Sequence, residues 1–432
     1  MTGSRGREAG GPTGAGGEEL RSPGGGVAST APTLDAAAAT GELTVLARRV
    51  LSEGWTQGER RGVPYAYTRP SPAWYPWQWY WDSCFAAIVW RRFDRERSRA
   101  ELETLLRASR PDGFIGHVIF WDRPVSLSRS LYYNVASRRA FMTGTLQPPL
   151  LAWAWRVTLG DPALEPEIVR HHEWLAAHRD LDGDGLLWVV QPDECGLDSS
   201  PKFDPVWGRR AHARIGFPFL VARNRRLGWE ARRVRDAGGP VVCEVLTNVA
   251  WGLARLAMGQ PSITPALVAR LWDERRGLFL DEAEPGAVRP AIETWAALAP
   301  LALPDLPEEI GRRLVEEHLL DPERFWLPVP PASVSAAEPS FTPGRGPGVR
   351  RYWRGPTWVN AAWLLWLGLR RLGYRERADE MASAIARTVL LEGAREYYNP
   401  LTGEGLGTTD FAWTTLALEM IDPRPGAATS YL

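Results

Sequence analysis

The chain has 432 residues with 51 basic and 51 acidic side chains, so its formal net charge is zero and no broad electrostatic grip on nucleic acid or an anionic membrane is expected. Hydrophobic residues make up 44% and charged ones 24%, which excludes a mainly disordered, collagenous or multi-span membrane protein. Three distant cysteines, Cys84, Cys195 and Cys243, have neither the spacing of a disulfide framework nor that of a zinc site, and point to a cytoplasmic protein.

The first 26 residues hold ten glycines and no apolar core of a signal peptide, so residues 1–40 read as a disordered tail and 41–425 as one domain. Helical periodicity then runs over 41–53, 84–93, 97–108, 145–158 and 165–178. The turn-rich segment Asp180 to Gly185 leads into the best strand pattern, Gly185 to Gln191, read as a short β-hairpin insertion. Residues 200–238 mix proline, glycine and arginine and read as an irregular insertion. Further helices are expected over 243–258, 264–274, 291–299, 307–319, 357–371, 374–391 and 409–421. The stripe Ala378, Met381, Ala382, Ile385 and Val389 gives residues 374–391 one apolar face. The run Val359 to Leu369 is interrupted by Asn360 and is shorter than the ~18 residues of a membrane span, so it reads as a buried helix. Six prolines between Pro328 and Pro347 forbid a long helix there, and loop 328–350 is expected to be a lid. The pattern as a whole predicts an all-α fold, a closed ring of helical hairpins with long loops between alternate pairs.

Tryptophan occurs 22 times, often beside Gly, Pro, Asp or Arg instead of at helical spacing, which suggests flat aromatic walls around a pocket. Four segments combine such aromatics with carboxylates. In Trp77-Gln-Trp79-Tyr-Trp81-Asp82, Asp82 suits a helix N-cap, with Ser83 as an alternative cap, but its flanking Trp79 and Trp81 also suit a pyranose, an aromatic face on C–H groups and a carboxylate on hydroxyls. Trp121-Asp122 repeats the pairing. Between Gln191 and Pro201, Asp193, Glu194 and Asp198 crowd together, so repulsion should leave one of them protonated and fit to be a general acid. In Tyr352-Trp353-Arg354-Gly-Pro-Thr-Trp358, Arg354 could orient a carboxylate. In Tyr397-Tyr-Asn-Pro-Leu-Thr-Gly-Glu404-Gly-Leu-Gly407, glycines flank Glu404 and allow close backbone approach to a ligand.

Asp180, Asp182 and Asp184 imitate the start of a calcium loop, but Gln191 stands where its last carboxylate belongs, so a tight turn is preferred. His171, His172 and His178 lack zinc-ligand spacing, and no phosphate loop, serine elbow or dinucleotide fingerprint occurs. No metal and no cofactor are expected.

Taken in order, Tyr80-Trp-Asp82-Ser-Cys-Phe85, Glu194-Cys-Gly-Leu-Asp198-Ser-Ser-Pro201, Tyr352-Trp-Arg-Gly355 and Asn399-Pro-Leu-Thr-Gly-Glu404-Gly405 resemble the signature segments of glycoside hydrolase family 63 over about residues 43–421. The resemblance implies an (α/α)6 barrel and inverting hydrolysis of an α-linked mannosyl or glucosyl glycerate, a compatible solute, with short α-glucosides as the alternative. It implies Asp198 as general acid and Glu404 as general base, with Trp79, Trp81, Asp82, Trp353 and Trp358 lining the sugar pocket. Trp121, Tyr132, Gln191, Arg354 and Tyr397 complete the expected substrate-binding set. Arg214, Arg354, His212, Tyr132 and Tyr133 are candidates for the acidic leaving-group side. The expected partner is a small glycoside, with a homo-oligomer left open. A sugar phosphorylase, which needs no base, and a non-catalytic carbohydrate binder are the rival readings.

Overall fold

Uninterrupted apolar runs and one-sided apolar stripes fall on different helices, and that division organises the fold. The computed structural model describes residues 35–126, 129–131, 133–137, 139–208, 216–344 and 352–423. The expected tail therefore lies almost wholly outside the described residues.

Helices with apolar residues on all sides form an inner set. All eleven residues of Tyr80–Trp90 are buried, as are all eight of the 3₁₀ stretch Trp295–Ala302, which carries Pro300 inside it. Val359–Arg371 is buried from Val359 to Leu369, and Asn360 within it is fully buried. Tyr80–Trp90 packs on Leu151–Thr158, which packs on Val245–Ala257, which packs on Trp295–Ala302. That stretch meets Val359–Arg371, which meets Ala412–Leu416, and Ala412–Leu416 returns to Tyr80–Trp90. A second set buries one stripe only. Arg375–Glu392 buries Ala378, Met381, Ala382, Ile385 and Val389, the expected face, against Val359–Arg371 and Ala36–Gly54. Arg95–Arg107 similarly covers Tyr80–Trp90, and Thr264–Leu271 covers Val245–Ala257. Among the described residues no helix is long and apolar enough to cross a membrane.

The all-α expectation needs correction: the chain is helix-rich, but short strands tie the loops at the helix ends. Trp55–Arg60 pairs with Val63–Thr68 through a two-residue turn whose Arg61 and Gly62 both have positive φ, 52° and 81°. The expected strand is present as Trp188–Val189, paired to Val241–Cys243, which pairs in turn with Glu282–Glu284. Gln78–Trp79 pairs with Val118–Ile119, and Arg395–Tyr398 with Gly405–Thr409.

Two loop expectations also change. The supposedly irregular 200–238 contains the helices Asp204–Trp207, Phe217–Arg226 and Ala231–Asp236, because Pro205 and Pro218 each fall in a first turn, where no N–H is needed. The first half of the expected lid is fastened to the body: Val329 donates to the Pro400 carbonyl, Ser335 to that of Glu293 and Thr342 to that of Arg354. Ala332, Ser333, Val334 and Ser335 are buried. Residues 345–351 lie outside the described residues.

Candidate active site

Inner helices start and end in short polar-aromatic loops, and several of these loops meet around a cavity of about 910 Å³. Its walls include Trp79, Trp81, Asp82, His117, Asp193 and Asp198. The first loop delivers its aromatics as expected. The Trp79 ring stands edge-on to His117 at 4.9 Å and to Tyr75 at 5.4 Å. The Trp81 amide donates to Gln147 Oε1 at 3.0 Å, and its indole passes so near residue 196 that a Cβ there would fall 2.6 Å from Cη2. Gly196 is therefore required both by that contact and by its φ of 74°. Asp82 is not the helix cap; Trp79 holds that position without a side-chain bond, and Asp82 sits in the first turn, 3% exposed. Its Oδ1 has no hydrogen-bond partner among the described residues. Burial, and after it the charge of Glu396, pushes the Asp82 carboxyl well above the usual range.

The three crowded carboxylates separate into distinct roles. Glu194 is fully buried and takes both arginine nitrogens of Arg179, at 2.7 and 2.6 Å, together with the amides of Leu146 and Val190 at 3.0 and 2.7 Å. It anchors the loop. Asp193 and Asp198 face the cavity instead. Ser199, next to Asp198, has φ of 66°, an uncommon conformation for a residue with a Cβ and one that clusters at functional sites.

Glu404 does not join them and is corrected as the site's glutamate. It lies in the turn of the Arg395–Tyr398/Gly405–Thr409 hairpin, where the Asn399 amide donates to its carbonyl at 2.9 Å, and it does not line the cavity. The carboxylate at the cavity is Glu396, on the same hairpin and 3% exposed. Tyr75 and Tyr352, both lining the cavity, donate to Glu396 Oε1, the former at 3.0 Å, and the Thr408 amide donates to Oε2 at 3.2 Å. Pairing Tyr397 with Leu406 and Tyr398 with Gly405 sets Glu396 two residues inside the hairpin, roughly 7 Å along the strand from its turn end. The glycines that drew attention to Glu404 serve its neighbours. A Cβ at Gly405 would lie 2.5 Å from Arg395 Cγ, and one at Gly407 2.5 Å from Glu396 Oε2. The usable signal was therefore the glycine facing Glu396 across the strands, one residue before the segment chosen.

Other expected contacts lie behind the cavity wall. Trp353 and Trp358 are buried in a stack, 3.8 Å between ring centroids and 10° from parallel, continued by Trp295 on one side and Tyr397 on the other. They do not line the cavity; Tyr352, which does, leans edge-on against Trp358 and Tyr397 at 4.7 and 5.5 Å. Arg354 is directed at Asp204, its Nη2 at 2.6 and 2.8 Å from the two carboxylate oxygens, so it braces the segment that follows Asp198 rather than clamping substrate. Trp121 stacks on Tyr65 and donates to Gln78 Oε1 at 2.6 Å, and Asp122 pairs with Arg69 at 3.1 Å. Gln191 is fully buried behind Asp193. Tyr133 lines the cavity, whereas Tyr132, His212 and Arg214 lie outside the described residues. Sequence reasoning missed Tyr75, His117, Asn134, Gln147 and Trp413, which stand in loops without a repeated motif.

The calcium-like turn is a plain one. Asp180 accepts from the amides of Gly183 and Gly185, while Asp182 and Asp184 pair with Arg270, each at 2.7 to 2.8 Å. His171 bonds Tyr80 Oη and the Gly113 carbonyl, and His172 bonds Gln260, as buried structural histidines.

Two carboxylates in one aromatic cavity, with a third held by two tyrosines of its wall, are what glycosidic hydrolysis by acid and base requires. The comparisons agree. The mannosylglycerate hydrolase of Thermus thermophilus is 28% identical over 403 residues, spanning 81% of this chain and 95% of its own. The glucosylglycerate hydrolase of Mycolicibacterium hassiacum is 27% identical over 81% of this chain and 93% of its own. A crystal structure of a Thermus thermophilus family 63 mannosylglycerate hydrolase in complex with Tris and D-glycerate matches with a TM-score of 0.74 at 27% identity, covering 88% of this chain and all of that one. The description of a mannosylglycerate hydrolase MGH1-like glycoside hydrolase domain matches residues 75–414, and the chain belongs to that glycoside hydrolase family.

Proposed function

We propose that this enzyme hydrolyses an α-linked mannosyl or glucosyl glycerate with inversion, Asp198 acting as general acid and Glu396 as general base. The observation that carries the reading is the placement of Glu396: Tyr75 and Tyr352 hold its carboxylate at the cavity into which Asp198 and Asp82 also face. Protonated Asp198 gives its proton to the glycosidic oxygen as that bond breaks. Glu396 takes a proton from a water, whose oxygen bonds to the anomeric carbon from the opposite face. An inverting pair needs carboxyls roughly 6.5 to 9.5 Å apart to admit that water. Trp79 and Trp81 supply π faces, and Asp82 a carboxylate, toward the positive charge that develops on the sugar.

The mannosylglycerate and glucosylglycerate hydrolases among the relatives support the acidic leaving group. The six inner helices that contact one another in succession, each backed by outer ones, support an (α/α)6 barrel for residues 41–425. Three buried, unpaired cysteines suit the cytoplasm.

Proton NMR of the sugar released from mannosylglycerate or glucosylglycerate tests the mechanism. A β-anomer as first product is expected, and an α-anomer as first product refutes inversion. Turnover that depends on added phosphate would replace hydrolysis by phosphorolysis.

A further inference from the structure

Asp193 has no role in the mechanism just described, yet it is 6% exposed and faces the cavity beside Asp198. A buried carboxylate is normally neutralised by a cation, as Glu194 is by Arg179. Among the described residues neither arginine nor lysine pairs with Asp193; its nearest basic group is His117 Nδ1, 3.9 Å from Oδ2. Burial holds His117 at about 3, so the ring stays neutral at working pH.

Instead of a cation, Asp193 has a chain of amides. Asn224 Nδ2 donates to Gln191 Oε1 at 2.9 Å, and Gln191 Nε2 donates to Asp193 Oδ1 at 2.7 Å and to Asn134 Oδ1 at 2.6 Å. Asn134 Nδ2 donates to Asp193 Oδ2. Both carboxylate oxygens thus accept from fixed donors, which favours the ionised form and leaves neither free to carry a proton comfortably. The remaining groups around it do not supply a counter-charge. Glu194 is paired to Arg179, and burial raises the Cys195 thiol. From helix Phe217–Arg226, Arg225 donates to the carbonyls of Val135 and Ser130, and Arg223 to Asn224 Oδ1. Tyr133 is neutral, and Asp82 and Glu396 add further negative charge across the cavity.

We propose that Asp193 is a positioning residue for the general acid: an amide-pinned carboxylate that keeps the catalytic proton on its neighbour Asp198. Two carboxylates in one buried wall do not both ionise readily, so the pair holds one proton at neutral pH, and the donors on Asp193 place it on Asp198. Burial and the charge of Asp198 raise Asp193 well above the usual range, the mutual repulsion this arrangement requires. No bond is made or broken by Asp193; the proton passes from Asp198 to the glycosidic oxygen, and the charge of Asp193 sets how far above its ordinary range Asp198 keeps it.

The inference rests on Asp198 being the acid, and pH profiles of the whole chain separate the two claims. Activity requires protonated Asp198, so it falls above that group's pKa. Replacing the neighbouring charge with an amide, Asp193→Asn, is expected to move the alkaline limb of kcat with mannosylglycerate or glucosylglycerate down by about one pH unit or more. An aryl α-glycoside whose leaving group needs no proton is expected to keep its rate. A limb that stays in place overturns the role of Asp193. Asp198→Asn should lose the glycerate substrate and retain the aryl glycoside; full activity on both removes the acid assignment itself. If Asp193→Asn does not fold, carbon-13 NMR of Asp193 in Asp198→Asn decides: its pKa is expected to fall relative to wild type, and an unchanged value refutes the coupling.

Discussion

Gly407 is a glycine because of Glu396: a Cβ there would stand 2.5 Å from Oε2 and 2.6 Å from Cβ of the glutamate across the hairpin. The φ of 70° at Gly407 belongs to the irregular pairing between Arg395 and Tyr397, which turns the Thr408 amide toward the same carboxylate. Gly407→Ala should cost about 1 kcal/mol for the left-handed backbone, with a further cost for displacing Glu396. A fall in kcat much larger than the loss in melting temperature explains is the expected outcome, measured by kinetics and calorimetry together.

Glu396→Gln and Glu404→Gln test which glutamate is the base. The first should lose roughly 10³-fold or more in turnover with the fold retained, since a base contributes about 10² to 10⁴ and a charge at the transition state adds to it. The second should stay within about threefold of wild type, because Glu404 does not line the cavity. The reverse pattern would return the base to residue 404.

Arg179→Met leaves Glu194 buried without its cation, with two backbone amides as its remaining donors. A loss of about 3 to 5 kcal/mol is expected in denaturant unfolding, and the double variant Arg179→Met with Glu194→Leu should recover part of it. Equal loss in both would mean that the carboxylate's bonds to Leu146 and Val190 matter more than the charge pair.

Glu101 gives a test of pH-dependent stability. Burial raises its carboxyl from the usual 4.5 to about 8, even though it accepts the Thr68 amide at 2.6 Å. A raised carboxyl contributes stability that is fully present below pH 4.5 and is lost as the pH climbs through 8. Glu101→Gln should therefore melt close to wild type at pH 5 and gain relative to it toward pH 8, read from melting temperatures across that range.

Helix positions were legible because apolar spacing is local. The stripe from Ala378 to Val389 and the run from Val359 to Leu369 needed no tertiary knowledge to distinguish an outer helix from an inner one. Asp82, Trp79, Trp81 and Asp198 were legible because each stands in a motif with its own chemistry. Glu396 was not, since its meaning comes from Tyr75 and Tyr352, 321 and 44 residues away in the chain. Trp353, Trp358 and Arg354 misled for the complementary reason. An indole that stacks on another indole and one that faces a sugar look alike in sequence, and Arg354 finds its carboxylate in Asp204, 150 residues upstream. The hairpin at Trp55 to Thr68 escaped because Arg61 occupies a turn position usually given to Asn, Asp or Gly.

The near-parallel pair Trp353 and Trp358 has an optical consequence. Transition dipoles of two indoles held face to face couple as an exciton, which gives a signed couplet in far-ultraviolet circular dichroism. Tyr352 touches that pair and also bonds Glu396 at the cavity. A ligand that pulls on this tyrosine would register in the couplet, so occupancy could be followed in solution without a chromophoric substrate or an attached dye.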